Sequence, residues 1–114
     1  MKTDIFIFGN IEYIIHIGKN KTENWTIIDN ALATDIWFHI DGQPSCHVIL
    51  TNNDNVKLKD IPKQVIKRCA YLCKINSAAK TMPKCNAIYA LISDVTKTDI
   101  VGQVIVTKHK IVST

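Results

Sequence analysis

The chain has 114 residues, 46% of them hydrophobic and 21% charged, with a mean hydropathy of +0.05. These values exclude intrinsic disorder and leave room for one domain, because a chain of this size buries roughly two-thirds of its unfolded surface and has little left for a second core. A net charge of +4 favours acidic partners, and no apolar run approaches the ~20 residues a bilayer span needs, so no membrane contact is expected.

In chain order, residues 5–8 and 12–17 read as two strands around a Gly9-Asn10 turn. Asp4 directly precedes the first apolar stretch, and no small-residue cleavage pattern follows it. A signal peptide is therefore not expected, and the location expected is the cytoplasm. Residues 18–21 break the strand pattern, and 22–33 read as a short helix with Thr22 or Asn24 as its N-cap. Residues 36–40 and 47–51 are rich in β-branched and aromatic side chains, and the turn chemistry of 41–45 between them predicts a hairpin. A polar loop follows at 52–55.

The clearest element is a helix over 61–77, with Asp60 as its cap and Pro62 in its first turn. At 100° per residue, Ile61, Val65, Cys69, Leu72 and Cys73 share an arc of about 120°, while Lys63, Lys67 and Lys74 fall within about 40° of one another on the other side. Residues 85–92 return as a strand, 93–99 form a loop, and a last strand pair surrounds Lys108-His109-Lys110. Seven short strands and one long helix predict a single α+β domain over 1–114. Its sheet is expected to be mixed but mostly antiparallel, with the helix packed on one face.

The four cysteines read as reduced thiols filling the core. Cys69 and Cys73 could ligate zinc with His39 and His47, but there is no second close doublet of the structural-zinc kind. No metal and no cofactor is expected.

Charge is unevenly distributed. Residues 1–60 hold five lysines against eight acids, whereas 61–114 hold eight lysines and Arg68 against Asp94 and Asp99. No acid at all occurs from Ile61 to Ile92. A solvated helix usually interleaves both signs, so a one-sided excess points to a polyanion.

Three segments carry a family resemblance. Gly18-Lys19-Asn20-Lys21-Thr22-Glu23-Asn24, Asp35-Ile36-Trp37-Phe38-His39 and Ser45-Cys46-His47-Val48-Ile49 resemble, in order and spacing, the motifs of the NFACT RNA-binding domain family. The chain looks most similar to the family's small branch. The resemblance spans about 13–112 and implies an RNA-binding domain, with tRNA or ribosomal RNA as partner, and without catalytic activity. In larger members the domain accompanies modules that bring tRNA to a stalled large ribosomal subunit and extend the trapped peptide. Those modules are not recognisable here, nor is the charged coiled-coil tail of the small branch, so peptide tailing is not expected of this chain. Trp25 stands where the family usually has an acid, and Pro44 where glycine is frequent.

On this reading Gly18 supplies a backbone conformation closed to other residues, and Glu23 and Asn24 brace the loop locally. Lys19, Lys21, Lys63, Lys67, Lys74, Lys80 and Lys84 are the expected phosphate contacts, with Asn24, Trp37, His39 and His47 setting shape recognition. Strand alternation puts Trp37 and His39 on one face. That face is an open stacking platform if the helix covers the Phe38 side, or core if the helix covers the Trp37 side. His39 and His47 flank the hairpin turn, where they can hold structure or contact a ligand. Asp35, Ser45 and His47 have the residue types of a hydrolase triad, but nothing resembles a nucleophile elbow, and no catalysis is expected. DNA binding and docking on an acidic protein surface are the alternatives.

Overall fold

The first hairpin joins β1 (Lys2–Phe8) to β2 (Ile11–Gly18) through Gly9 and Asn10, both at positive φ. That geometry is what a two-residue turn requires, and Phe8 pairs directly with Ile11. The computed structural model describes residues 1–52 and 54–114; Asn53, in the loop expected at 52–55, lies outside the described residues. The remaining elements are α1 (Lys21–Asp29), β3 (Ile36–Ile40), β4 (His47–Leu50), α2 (Lys63–Ile75), β5 (Asn86–Leu91), β6 (Val95–Lys97), β7 (Val104–Val106) and β8 (Lys110–Ser113).

Six strands form one sheet in the order β1-β2-β4-β3-β5-β8, and every neighbouring pair is antiparallel. The α+β class holds, but the sheet contains no parallel pair among the described residues. Among the described residues eight strands replace the expected seven; α1 stands where the short helix was expected at 22–33, and α2 is the long one. β6 lies within the stretch 93–99 expected to be loop and pairs with β7 in a separate two-stranded sheet. The two strands expected around Lys108–Lys110 are β7 and β8, but they pair with β6 and β5 and not with each other.

Alternation along the strands divides the interior in two. Ile15, Ile17, Ile36, Phe38, Ile40, Val48 and Leu50 face α2, which inserts Val65, Ile66, Cys69, Ala70, Leu72 and Cys73. Burying each large side chain in this set contributes about 1.5–3 kcal/mol. The apolar stripe of α2 is therefore the one its periodicity predicts. Asp60, however, sits in a 3-10 turn at Leu58–Asp60, and Pro62 occupies the cap position without a side-chain bond. Pro62 has no N–H to offer, but its carbonyl accepts from Val65 and Ile66 and starts the helix there. Against the opposite sheet face, Trp37, Ile49 and Ala90 pack with Ile27 and Ile28 of α1 and with Val95, Val104 and Val106 of the β6–β7 hairpin. The sheet is thus covered on both faces over its central strands, while Ile5 and Ile7 of β1 stay exposed.

Candidate nucleic-acid interface

The loop from Gly18 to Asn24 is built by capping. Asn20, in extended backbone, accepts the Glu23 N–H at 2.9 Å and is the N-cap of α1, in place of Thr22 or Asn24. Glu23 reaches back to the Lys19 N–H at 3.0 Å, a reciprocal arrangement that satisfies free donors at both ends of the first turn. Gly18 has ordinary φ, which corrects the expectation of a special conformation; a Cβ there would lie 2.4 Å from Asn24 Oδ1. Its glycine is required by close approach. Asn24 Oδ1 accepts the buried His47 N–H at 3.1 Å, tying α1 to β4.

Next to that brace lies a cleft of about 620 Å³, whose lining includes Lys21, Asn24, Trp37, His39 and His47. Three separate sequence motifs meet there. The far wall comes from the β6–β7 hairpin, whose Gly102 has positive φ and sits where a Cβ would lie only 3.0 Å from Lys21 Cβ. Trp37 is only 1% exposed although α2 covers the Phe38 side, because the β6–β7 hairpin and α1 close the other face. The open Trp37 platform is therefore corrected: an indole this deeply packed cannot receive a stacked base. His39 is half-buried and stacks beside Trp37, with ring centroids 5.6 Å apart and planes 13° from parallel. His47 stands edge-on to both rings, at 5.5 Å from Trp37 and 5.1 Å from His39.

Burial and the facing His39 push the His47 pKa down to about 3, and burial also lowers that of His39. Both rings are neutral at physiological pH. Once unfolded, each would take a proton at its ordinary value of 6.5. As pH falls below that value the unfolded chain gains protons the folded one resists, so stability drops by about 1.4 kcal/mol per pH unit for His47. The domain should lose about 2 kcal/mol between pH 7.5 and pH 5. Urea midpoints across that range test this, and His47→Gln should flatten the profile; an unchanged slope in that variant would place the titration elsewhere.

The lysines expected to contact phosphates are divided between faces. Lys19 and Lys21 are exposed beside the cleft, whereas Lys63 and Lys67 are exposed on α2, across the sheet from it. Lys74 is half-buried with its ammonium 3.5 Å from the Thr114 carbonyl. Lys80 and Lys84 are exposed on the connection to β5, where Gln43 on the cleft rim donates to Met82 Sδ at 3.3 Å. Arg68 pairs with Asp4 at 3.3 Å between the rings of Phe6 and Tyr71, so one basic residue of the acid-free stretch is neutralised from the first strand.

A second basic feature was not legible in the chain. Lys57, Lys59, Lys108 and Lys110 line one groove of about 250 Å³ together with Asp94, and His109 lines both this groove and the cleft. The dense Lys108-His109-Lys110 run was the available signal, but its partner lysines lie some fifty positions earlier.

Two alternatives are not assembled. Cys69 and Cys73 are buried under α2, on the opposite side of the sheet from His39 and His47, so the four cannot share a metal. Asp35 accepts the Leu32 and Asn52 N–H groups at 2.9 Å each, and the Ser45 hydroxyl donates to the Cys46 carbonyl while accepting the Ile40 N–H. Neither is available as a triad member to His47.

Residues 3–108 match the family model described as NFACT protein RNA binding domain. Coiled-coil domain-containing protein 25 of Bos taurus is 41% identical over 87 residues, covering 75% of this chain and 42% of that protein. Protein JLP2 of Saccharomyces cerevisiae is 39% identical over 80 residues, covering 67% and 38% respectively. The chain thus spans less than half the length of these relatives. The C-terminal part of the fibronectin/fibrinogen-binding protein from Streptococcus suis shares the fold, with a TM-score of 0.82 at 22% identity over 99% of this chain and 45% of that one.

Proposed function

The chain belongs to the NFACT protein RNA binding domain family, and from that membership we propose that it binds structured RNA, tRNA or ribosomal RNA, by shape and charge and without catalysis. The observation that carries the reading beyond the family is the meeting of all three motifs at one cleft, whose lining shares His109 with the lysine groove. Phosphates dock on Lys108 and Lys110 and on Lys21, while the cleft sets the register of the strand. Lys80 and Lys84 extend the surface past the Gln43 rim. Lys63, Lys67 and Lys74 engage only an RNA large enough to reach the α2 face. Such contacts position an RNA without encoding a short consensus. The setting proposed, from the motif resemblance, is the large ribosomal subunit in the cytoplasm.

Binding driven by about four phosphate contacts should weaken tenfold or more between 50 and 200 mM salt. Filter binding of tRNA, ribosomal RNA fragments and duplex DNA across that range tests the proposal. Equal competition by duplex DNA would remove the preference for RNA. Absence of binding to any nucleic acid at low salt would favour an acidic protein partner.

A further inference from the structure

Resting on the RNA reading above, we infer that the cleft receives one unstacked nucleobase and reads its edge through a neutral donor–acceptor pair formed by His47 and His39. The tautomers follow from what their partners are able to do. The Trp37 indole N–H can only donate, and it lies 3.1 Å from His47 Nδ1. That nitrogen must accept, which puts the His47 proton on Nε2. The Ile40 carbonyl can only accept, and it lies 2.6 Å from His39 Nδ1. That nitrogen carries the proton, which leaves a lone pair on His39 Nε2.

Among the described residues neither Nε2 has a protein partner, yet no buried side-chain nitrogen or oxygen there is left unpaired. Both therefore open to the cleft that the two rings line. The cleft thus presents one donor and one acceptor on rings 5.1 Å apart, beside the apolar side chains of Ile88, Val104 and Val106. A phosphate offers acceptors only, and the His39 lone pair would oppose it. The Watson–Crick edge of an unpaired base offers a donor and an acceptor side by side. Burial keeps both rings uncharged, so the pattern does not change near neutral pH. The volume lies within the range of small-ligand sites. At the mouth, Ile100 and Val101 are exposed apolar residues that a base would cover, and Lys21 is set to hold the adjoining phosphate.

The test follows the Trp37 indole N–H and the histidine ring nitrogens by NMR. Ribonucleoside monophosphates, ribose 5-phosphate, a blunt RNA duplex and the same duplex with one bulged nucleotide are added in turn. Nucleotides and the bulged duplex should shift these signals, ribose 5-phosphate should not, and the bulge should tighten binding about tenfold. Val101→Phe, a change at an exposed mouth residue, should abolish the shifts and the bulge preference. Matching shifts from ribose 5-phosphate would overturn the proposal in favour of a phosphate site. Equal binding of both duplexes without shifts would overturn it while leaving RNA binding standing. Shifts from nucleotides without binding of any RNA would support the pocket as a free-nucleotide site and sink the RNA reading instead. No shift from any ligand overturns the pocket.

Discussion

Cys69→Asp should leave the chain without a cooperative unfolding transition. Cys69 is 0% exposed at the centre of the α2 stripe, and its burial drives the thiol pKa upward. An aspartate at that position must either ionise unpaired or stay protonated among apolar neighbours. Either choice costs several kcal/mol against a total stability of about 5–15 kcal/mol for a domain of this kind. Arg68 is adjacent in sequence but is engaged by Asp4 at the surface, so it offers no compensation. Tryptophan fluorescence and far-ultraviolet circular dichroism in urea provide the measurement. Cys69→Ala, which removes a small apolar group only, should retain the transition. A Cys69→Asp protein that unfolds sharply near the parental midpoint would show that the interface between α2 and the sheet tolerates charge, contrary to its packing.

The second large effect concerns where the phosphates dock. Lys108→Glu combined with Lys110→Glu should reduce RNA affinity ten- to a hundredfold and lower the slope of log affinity against log salt by about 2. Both lysines are exposed, so the fold should be unaffected. Lys67→Glu combined with Lys74→Glu should weaken binding less, because the sheet separates α2 from the cleft. Salt titrations of the two double variants with one tRNA decide between the faces. If the α2 pair has the larger effect, the contact surface is the helix and the cleft is bystander to it.

Much of this molecule was legible in its residues because the relevant forces are local. The apolar stripe of α2 follows from a 3.6-residue period, and the Gly9-Asn10 turn from the tolerance of those residues for positive φ. The three motifs were recognisable as a set, and they converge at one site. Reading Glu23 and Asn24 as braces also agrees with their hydrogen bonds. The N-cap was misread because Thr22, Asn24 and Asn20 are all competent caps. The choice fell to Asn20 once Asn24 was drawn off to the His47 backbone.

The fate of the Trp37 face could not be read locally. Alternation correctly paired Trp37 with His39 and set both opposite Phe38, but it says nothing about what lies above them. β6 is three residues long, too short to announce itself, and it becomes a strand by pairing with β7 over the Trp37 side. The grouping of Lys57 and Lys59 with Lys108 and Lys110 is equally non-local, since it depends on where β5 and β8 end relative to the turn before α2. Periodicity, capping and charge content are properties of neighbours along the chain, and those the residues alone determined. Which face is sealed, and which cations share a groove, depend on contacts between distant segments, and only the folded arrangement decided them.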